Sequence, residues 1–93
     1  MSAPRGRSIL VTGGAGFIGS NFTRYLLGRG GAARVTVLDK FTYAGHPATL
    51  RDLARDPRFH LVKGDIADAP LVRRVMRAAK PDWVVNFAAE SHV

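Results

Sequence analysis

Four short apolar runs recur along the chain: Ser8–Thr12 (SILVT), Arg34–Asp39 (RVTVLD), Phe59–Lys63 (FHLVK) and Trp83–Phe87 (WVVNF). Each has the length of a strand, and the first two, rich in isoleucine, leucine and valine, suit strands buried in a sheet. The segments between them follow a different period. From Phe17 onward, Ile18, Phe22, Tyr25 and Leu26 fall on one helical face, with Asn21, Arg24 and Arg29 turned away from it. Gly28, Gly30 and Gly31 end that helix. Phe41–Pro47 reads as a loop, and Ala48–Arg55 as a short helix with Leu50 and Leu53 inward, closed by Asp56-Pro57. Asp68 suits an N-cap and Pro70 a first turn; Leu71, Val72, Val75, Met76 and Ala79 then form an apolar stripe opposite Arg73, Arg74 and Arg77, and Pro81 stops the helix.

Strands alternating with helices predict an α/β fold with a parallel, doubly wound sheet and right-handed crossovers. Some four strands and three helices are expected, two helices on one face of the sheet and the third on the other. Residues 1–93 carry no linker, repeat or low-complexity stretch and read as one domain. A doubly wound sheet ordinarily continues past four strands, so the pattern is expected to be the first part of a longer enzyme.

Composition narrows the function classes. There is no cysteine, which excludes disulfides, thiolate catalysis and cysteine-bound zinc and fits a cytoplasmic protein. No apolar run approaches the ~20 residues of a membrane span, and the apolar stretch in MSAPRGRSILV is too short for a signal peptide. The net charge of +7 comes mostly from arginines scattered at positions such as Arg24, Arg51, Arg58 and Arg77; only Arg73 and Arg74 are adjacent. Without a basic tract interleaved with aromatics, nucleic-acid binding is not expected, and small anionic molecules remain as partners. His46, His60 and His92 lack metal-ligand spacing, and no metal is expected. Ser91 and His92 are adjacent on a loop with no G-x-S-x-G elbow, a poor arrangement for a hydrolase triad.

The chemistry concentrates where the first run meets the first helix, in VTGGAGFIG (residues 11–19). The spacing Gly13-x-x-Gly16-x-x-Gly19 is a variant of the dinucleotide fingerprint and stands in the strand-to-helix context that fingerprint demands. Gly13 would permit a sharp exit from the strand, Gly16 a close approach of backbone to a pyrophosphate, and Gly19 close packing of helix on sheet. The N–H groups near Phe17 and Ile18 would then point at an anion. Alone, the loop fits a tight turn as well as a phosphate grip. Asp39, twenty residues after Gly19 at the end of the second run, adds a second signal. A carboxylate there accepts from the ribose hydroxyls and repels a 2′-phosphate; two unit charges ~4 Å apart at an effective dielectric of ~20 cost about 4 kcal/mol. NAD is therefore favoured over NADP, although Lys40 follows at once and could soften the preference. After the third run, Asp65 could accept from an adenine amino group while Ile66 covers the ring; Asp65 reads equally as a turn residue after Gly64. After the fourth, Ala88 and Ala89 leave room for a cofactor across the strand ends, or simply pack closely.

TGGAGFIG with the Asp39 spacing resembles the extended short-chain dehydrogenase/reductase family. DKFTYAG (Asp39–Gly45) and AAESHV (Ala88–Val93) narrow the resemblance to its dTDP-glucose 4,6-dehydratase branch. The match runs in register from Ile9 to Val93, with Phe41 where the family usually has a smaller aliphatic. The resemblance implies a Rossmann-type sheet, incomplete here, with NAD as cofactor and dTDP-glucose as substrate. It also implies a homodimeric full-length protein. By the same resemblance, Phe17 and Ile18 contact the pyrophosphate, Asp39 holds the ribose, Lys40, Phe41 and Thr42 line the adenosine side, and Asp65 and Ile66 hold adenine. Phe87, Ala88, Ala89, Glu90 and Ser91 would lie along the cofactor, with Ser91 also near the sugar.

The reaction implied is oxidation at C4, loss of water across C5 and C6, and return of the hydride to C6. The family performs it with a Tyr-x-x-x-Lys pair, a threonine and an Asp-Glu pair, none of which matches these residues. Tyr25 is followed four positions on by Arg29, and Tyr43 by Pro47. The chain is thus expected to hold a cofactor without the catalytic groups and to be inactive alone. Another extended-family enzyme, such as a sugar-nucleotide epimerase or decarboxylase, and a non-catalytic dinucleotide-sensing module are the alternatives.

Overall fold

A computed structural model describes residues 4–13, 16–40 and 47–87. The four strands form as the apolar runs predict: β1 (Ser8–Thr12), β2 (Arg34–Asp39), β3 (Phe59–Lys63) and β4 (Trp83–Asn86). All pairings are parallel, in the order β3-β2-β1-β4. Register aligns Ile9 with Val35 and with Trp83, and Asp39 with Lys63. The fourth strand stops one residue short of the expected Phe87, whose N–H still continues the ladder to the Thr12 carbonyl at 2.8 Å.

The two central strands are buried on both faces, as their unbroken apolar sequence requires. Ile9, Val11, Val35 and Val37 meet helix α1 (Phe17–Leu27) and a 3-10 helix (Pro47–Leu53) in one core. Leu10 and Leu38 point to the opposite face and pack with Val75, Val72 and Leu71 of helix α2 (Ala69–Ala79). Two helical segments therefore cover one face and a single helix the other, the expected distribution. Two of the three are α-helices. The third is a seven-residue 3-10 helix, and the three-residue spacing of Leu50 and Leu53 places both on one side of its turn, where both are buried.

The inward face of α1 differs from the expected one. Gly19, Ser20, Thr23, Leu26 and Leu27 are buried, Phe22 is half-buried, and Ile18 and Tyr25 are exposed. The periodicity is helical, but the buried stripe is rotated toward small residues. Gly19 and Thr23 occupy the face turned to the interior, Thr23 with no exposed surface. The buried hydroxyls on this face stay satisfied within the helix: Thr23 Oγ1 donates to the Gly19 carbonyl at 2.9 Å and Ser20 Oγ to that of Phe17 at 3.0 Å.

Helix α2 begins as expected, with the Asp68 side chain accepting from the Leu71 N–H and Pro70 in the first turn. It ends on Lys80 in the left-handed region, φ 44°. Ser8 Oγ donates to the Ala79 carbonyl at 2.7 Å, and the Ser8 N–H donates to Asp82, so the end of α2 is tied to the start of β1.

Candidate dinucleotide site

After β3 the chain crosses back over the sheet through α2 to pair β4 with β1, so the strand order reverses between β1 and β4. Open parallel sheets bind ligands outside the carboxyl ends of the strands at such a point. Gly13 sits there, immediately after β1. Its N–H donates to the Leu38 carbonyl at 3.0 Å, and its φ of 75° is one that residues with a Cβ rarely adopt. A β-carbon built on Gly13 would overlap the backbone carbonyl oxygen of Phe87. Thr12 Oγ1 also hydrogen-bonds the Asn86 side chain, closing the ends of β1 and β4 together. The chain therefore has no room for a side chain where the loop leaves the sheet.

Gly16 is the N-cap of α1, extended at φ −72° and ψ 176°, and no side chain caps the helix. The first intrahelical bond runs from the Ser20 N–H to the Gly16 carbonyl at 2.8 Å. The N–H groups of Phe17, Ile18 and Gly19 precede that bond, and the first turn carries no acidic residue. Phe17 is 82% exposed and Ile18 64%, so these large apolar residues stand at the mouth of the loop and not in the core. An uncapped helix start without a carboxylate is electrostatically suited to an anion. Gly19 lies on the buried face of α1.

Asp39 is the last residue of β2 and is 4% exposed. Its carbonyl accepts from the Gly64 N–H at 2.9 Å, which brings the ends of β2 and β3 together. Lys40 and Asp65 meet there, Nζ 3.4 Å from Oδ2. Asp65 Oδ1 accepts from the Ala67 N–H at 2.8 Å. That backbone bond first, and Lys40 after it, hold the Asp65 carboxyl below its usual range, so it is an acceptor at neutral pH. Ile66 beside it is half exposed. Phe87 contributes backbone to the Gly13 contact, while its ring packs edge-on against Phe22 with centroids 5.5 Å apart. Phe41, Thr42, Ala88, Ala89, Glu90 and Ser91 lie outside the described residues.

Gly13, Gly16, Phe17, Ile18, Asp39, Lys40, Asp65 and Ile66 are thus carried to one edge of the sheet from three strand ends and one helix start. Sequence reasoning did not foresee the Lys40–Asp65 pair, whose members are distant in sequence; only the β2–β3 register joins them. It also missed Arg24, which makes a bidentate pair with Asp52 at 2.8 Å through Nε and Nη2 and ties α1 to the 3-10 helix. His60 is half-buried on the edge strand β3; burial, aided by Arg34, holds its imidazole below the usual value. Among the described residues no group of metal-binding side chains occurs, and no helix is long and apolar enough to cross a membrane.

The sequence from residue 10 to 93 matches the family model described as GDP-mannose 4,6 dehydratase. The chain belongs to the GDP-mannose 4,6 dehydratase family. A dTDP-glucose 4,6-dehydratase of Xanthomonas campestris pv. campestris (strain B100) is 54% identical over 84 residues, covering 90% of this chain and 23% of that relative. Among solved structures, a dTDP-glucose 4,6-dehydratase from Bacillus anthracis in complex with NAD superposes with a TM-score of 0.83 at 40% identity, over 88% of this chain and 26% of that one. The dTDP-glucose 4,6-dehydratase DesIV from Streptomyces venezuelae, with NAD and TYD bound, gives a TM-score of 0.81 at 53% identity, over 91% of this chain and 27% of that one. The chain thus spans about a quarter of the length of these family members.

Proposed function

We propose that this chain is the NAD-binding part, residues 1–93, of a sugar-nucleotide dehydratase that converts dTDP-glucose to dTDP-4-keto-6-deoxyglucose. The observation that carries the cofactor assignment is the side-chain-free contact of Gly13 with the Phe87 carbonyl, beside an uncapped helix start and the buried Asp39. These residues fit a dinucleotide. The α1 N–H groups near Phe17 and Ile18 suit the pyrophosphate, Asp39 the ribose hydroxyls, and Asp65 with Ile66 the adenine. Lys40, Phe41 and Thr42 belong to the adenosine side, and Phe87, Ala88, Ala89, Glu90 and Ser91 to the far end, with Ser91 reaching the sugar.

When bound, NAD supplies a reversible hydride acceptor for oxidation at C4 and reduction at C6 of the glucose ring. In this reading the residues of this chain bind and orient; the Tyr-x-x-x-Lys and Asp-Glu pairs that the family resemblance implies for the reaction have no match in its sequence. The substrate assignment is supported by relatives at more than half identity named as dTDP-glucose 4,6-dehydratases. The same reading carries a homodimeric full-length protein in the cytoplasm.

The test is conversion by the full-length protein of dTDP-glucose deuterated at C4. The expected product has lost one water and carries deuterium at C6. A product with inverted C4 and no loss of water would replace the dehydratase with an epimerase. Dinucleotide binding without turnover of any sugar nucleotide would favour a sensing module.

A further inference from the structure

We infer that the Lys40–Asp65 ion pair is a specificity latch, which withholds the Lys40 ammonium from a 2′-phosphate and so sharpens the preference for NAD over NADP. This rests on the dinucleotide reading of the site. Lys40 directly follows Asp39, the carboxylate at the ribose position. An ammonium there could neutralise the phosphate that distinguishes NADP and offset its repulsion by Asp39. The structure directs it elsewhere. Lys40 Nζ lies 3.4 Å from Asp65 Oδ2, across the gap between the ends of β2 and β3.

Asp65 is a fixed partner. Its other oxygen accepts from the Ala67 N–H at 2.8 Å, and the bond from the Gly64 N–H to the Asp39 carbonyl sets its distance from β2. The carboxylate is therefore held by backbone on its own side, and the flexible lysine stem comes to it. Both side chains are about half exposed, so the latch is weak and a change in its strength is read as a modest shift in cofactor ratio.

The adenine end is shared by the two dinucleotides, so any contact Asp65 makes with adenine changes both affinities alike. The ratio of NADP⁺ to NAD⁺ affinity isolates the latch. Four full-length proteins serve: wild type, Lys40→Ala, Asp65→Asn and the double variant, titrated with each dinucleotide at low ionic strength. Lys40→Ala should leave the ratio within about twofold of wild type, because the lysine is already withheld. Asp65→Asn should raise the NADP⁺/NAD⁺ ratio up to about fivefold, the range of an exposed ion pair. The double variant should return to the Lys40→Ala value. A ratio that falls severalfold on Lys40→Ala would overturn the inference, since the lysine would already serve the phosphate. An equal rise on Asp65→Asn with and without Lys40 would also overturn it, since Asp65 would act by its own charge. Failure of the wild type to bind either dinucleotide would remove the underlying reading instead.

Discussion

Replacing Gly13 by alanine places one methyl group against the Phe87 carbonyl oxygen at a φ of 75°. Backbone at the junction of β1 and β4 must then shift, and a left-handed alanine costs a further ~1–2 kcal/mol. The full-length Gly13→Ala protein should lose NAD⁺ binding at least tenfold in calorimetry and melt earlier. Unchanged binding would mean that the loop is only a turn. At this scale the sequence is highly legible. The spacing predicts a glycine at the strand exit and a carboxylate at the end of the next strand, and Gly13 follows β1 while Asp39 ends β2. Lys40 was less legible. Its neighbour in sequence suggested a softening of the NAD preference, while the strand register gives it a partner from another element.

Elements are set by period and by what each face meets. The strands were legible because the central ones are buried on both sides, which leaves an uninterrupted apolar run. The orientation of α1 was not, because apolarity alone puts Ile18 and Tyr25 inward, whereas the buried face carries Gly19, Ser20 and Thr23. Lys80 caps α2 in the left-handed region, so Lys80→Gly should stabilise the full-length protein by up to about 1 kcal/mol in denaturant unfolding. Asp52→Ala should cost no more than ~1 kcal/mol at neutral pH, because its pair with Arg24 is solvent-exposed.

The Arg24 guanidinium, chiefly through its hydrogen bonds, holds the Asp52 carboxyl below the usual aspartate value. The folded state therefore binds fewer protons there than the unfolded state. The stabilisation is present above about pH 4 and disappears as pH falls through the lowered value. Wild-type and Asp52→Ala stabilities should converge in that acid range. A difference that persists there would mean the aspartate acts by packing.

The whole molecule is asymmetric. Both sheet edges are open among the described residues, and Val84 on β4 is 55% exposed. One face has two helical segments and the other has α2 alone. Strands that end a sheet with unpaired N–H and carbonyl groups recruit other chains. The 93-residue chain by itself should associate with rising concentration in light scattering, and Val84→Lys should reduce that association. A monomer with a sharp cooperative melt would contradict this.

Calorimetry of the full-length protein with NAD⁺ and NADP⁺, with and without Asp39→Ala, tests the central claim most directly. The wild type should bind NAD⁺ more tightly. The substitution should weaken NAD⁺ by about 10- to 100-fold, as the loss of charged hydrogen bonds implies, and narrow or reverse the preference. Tighter binding of NADP⁺ by the wild type, or an Asp39→Ala protein with unaltered affinities, would contradict the account.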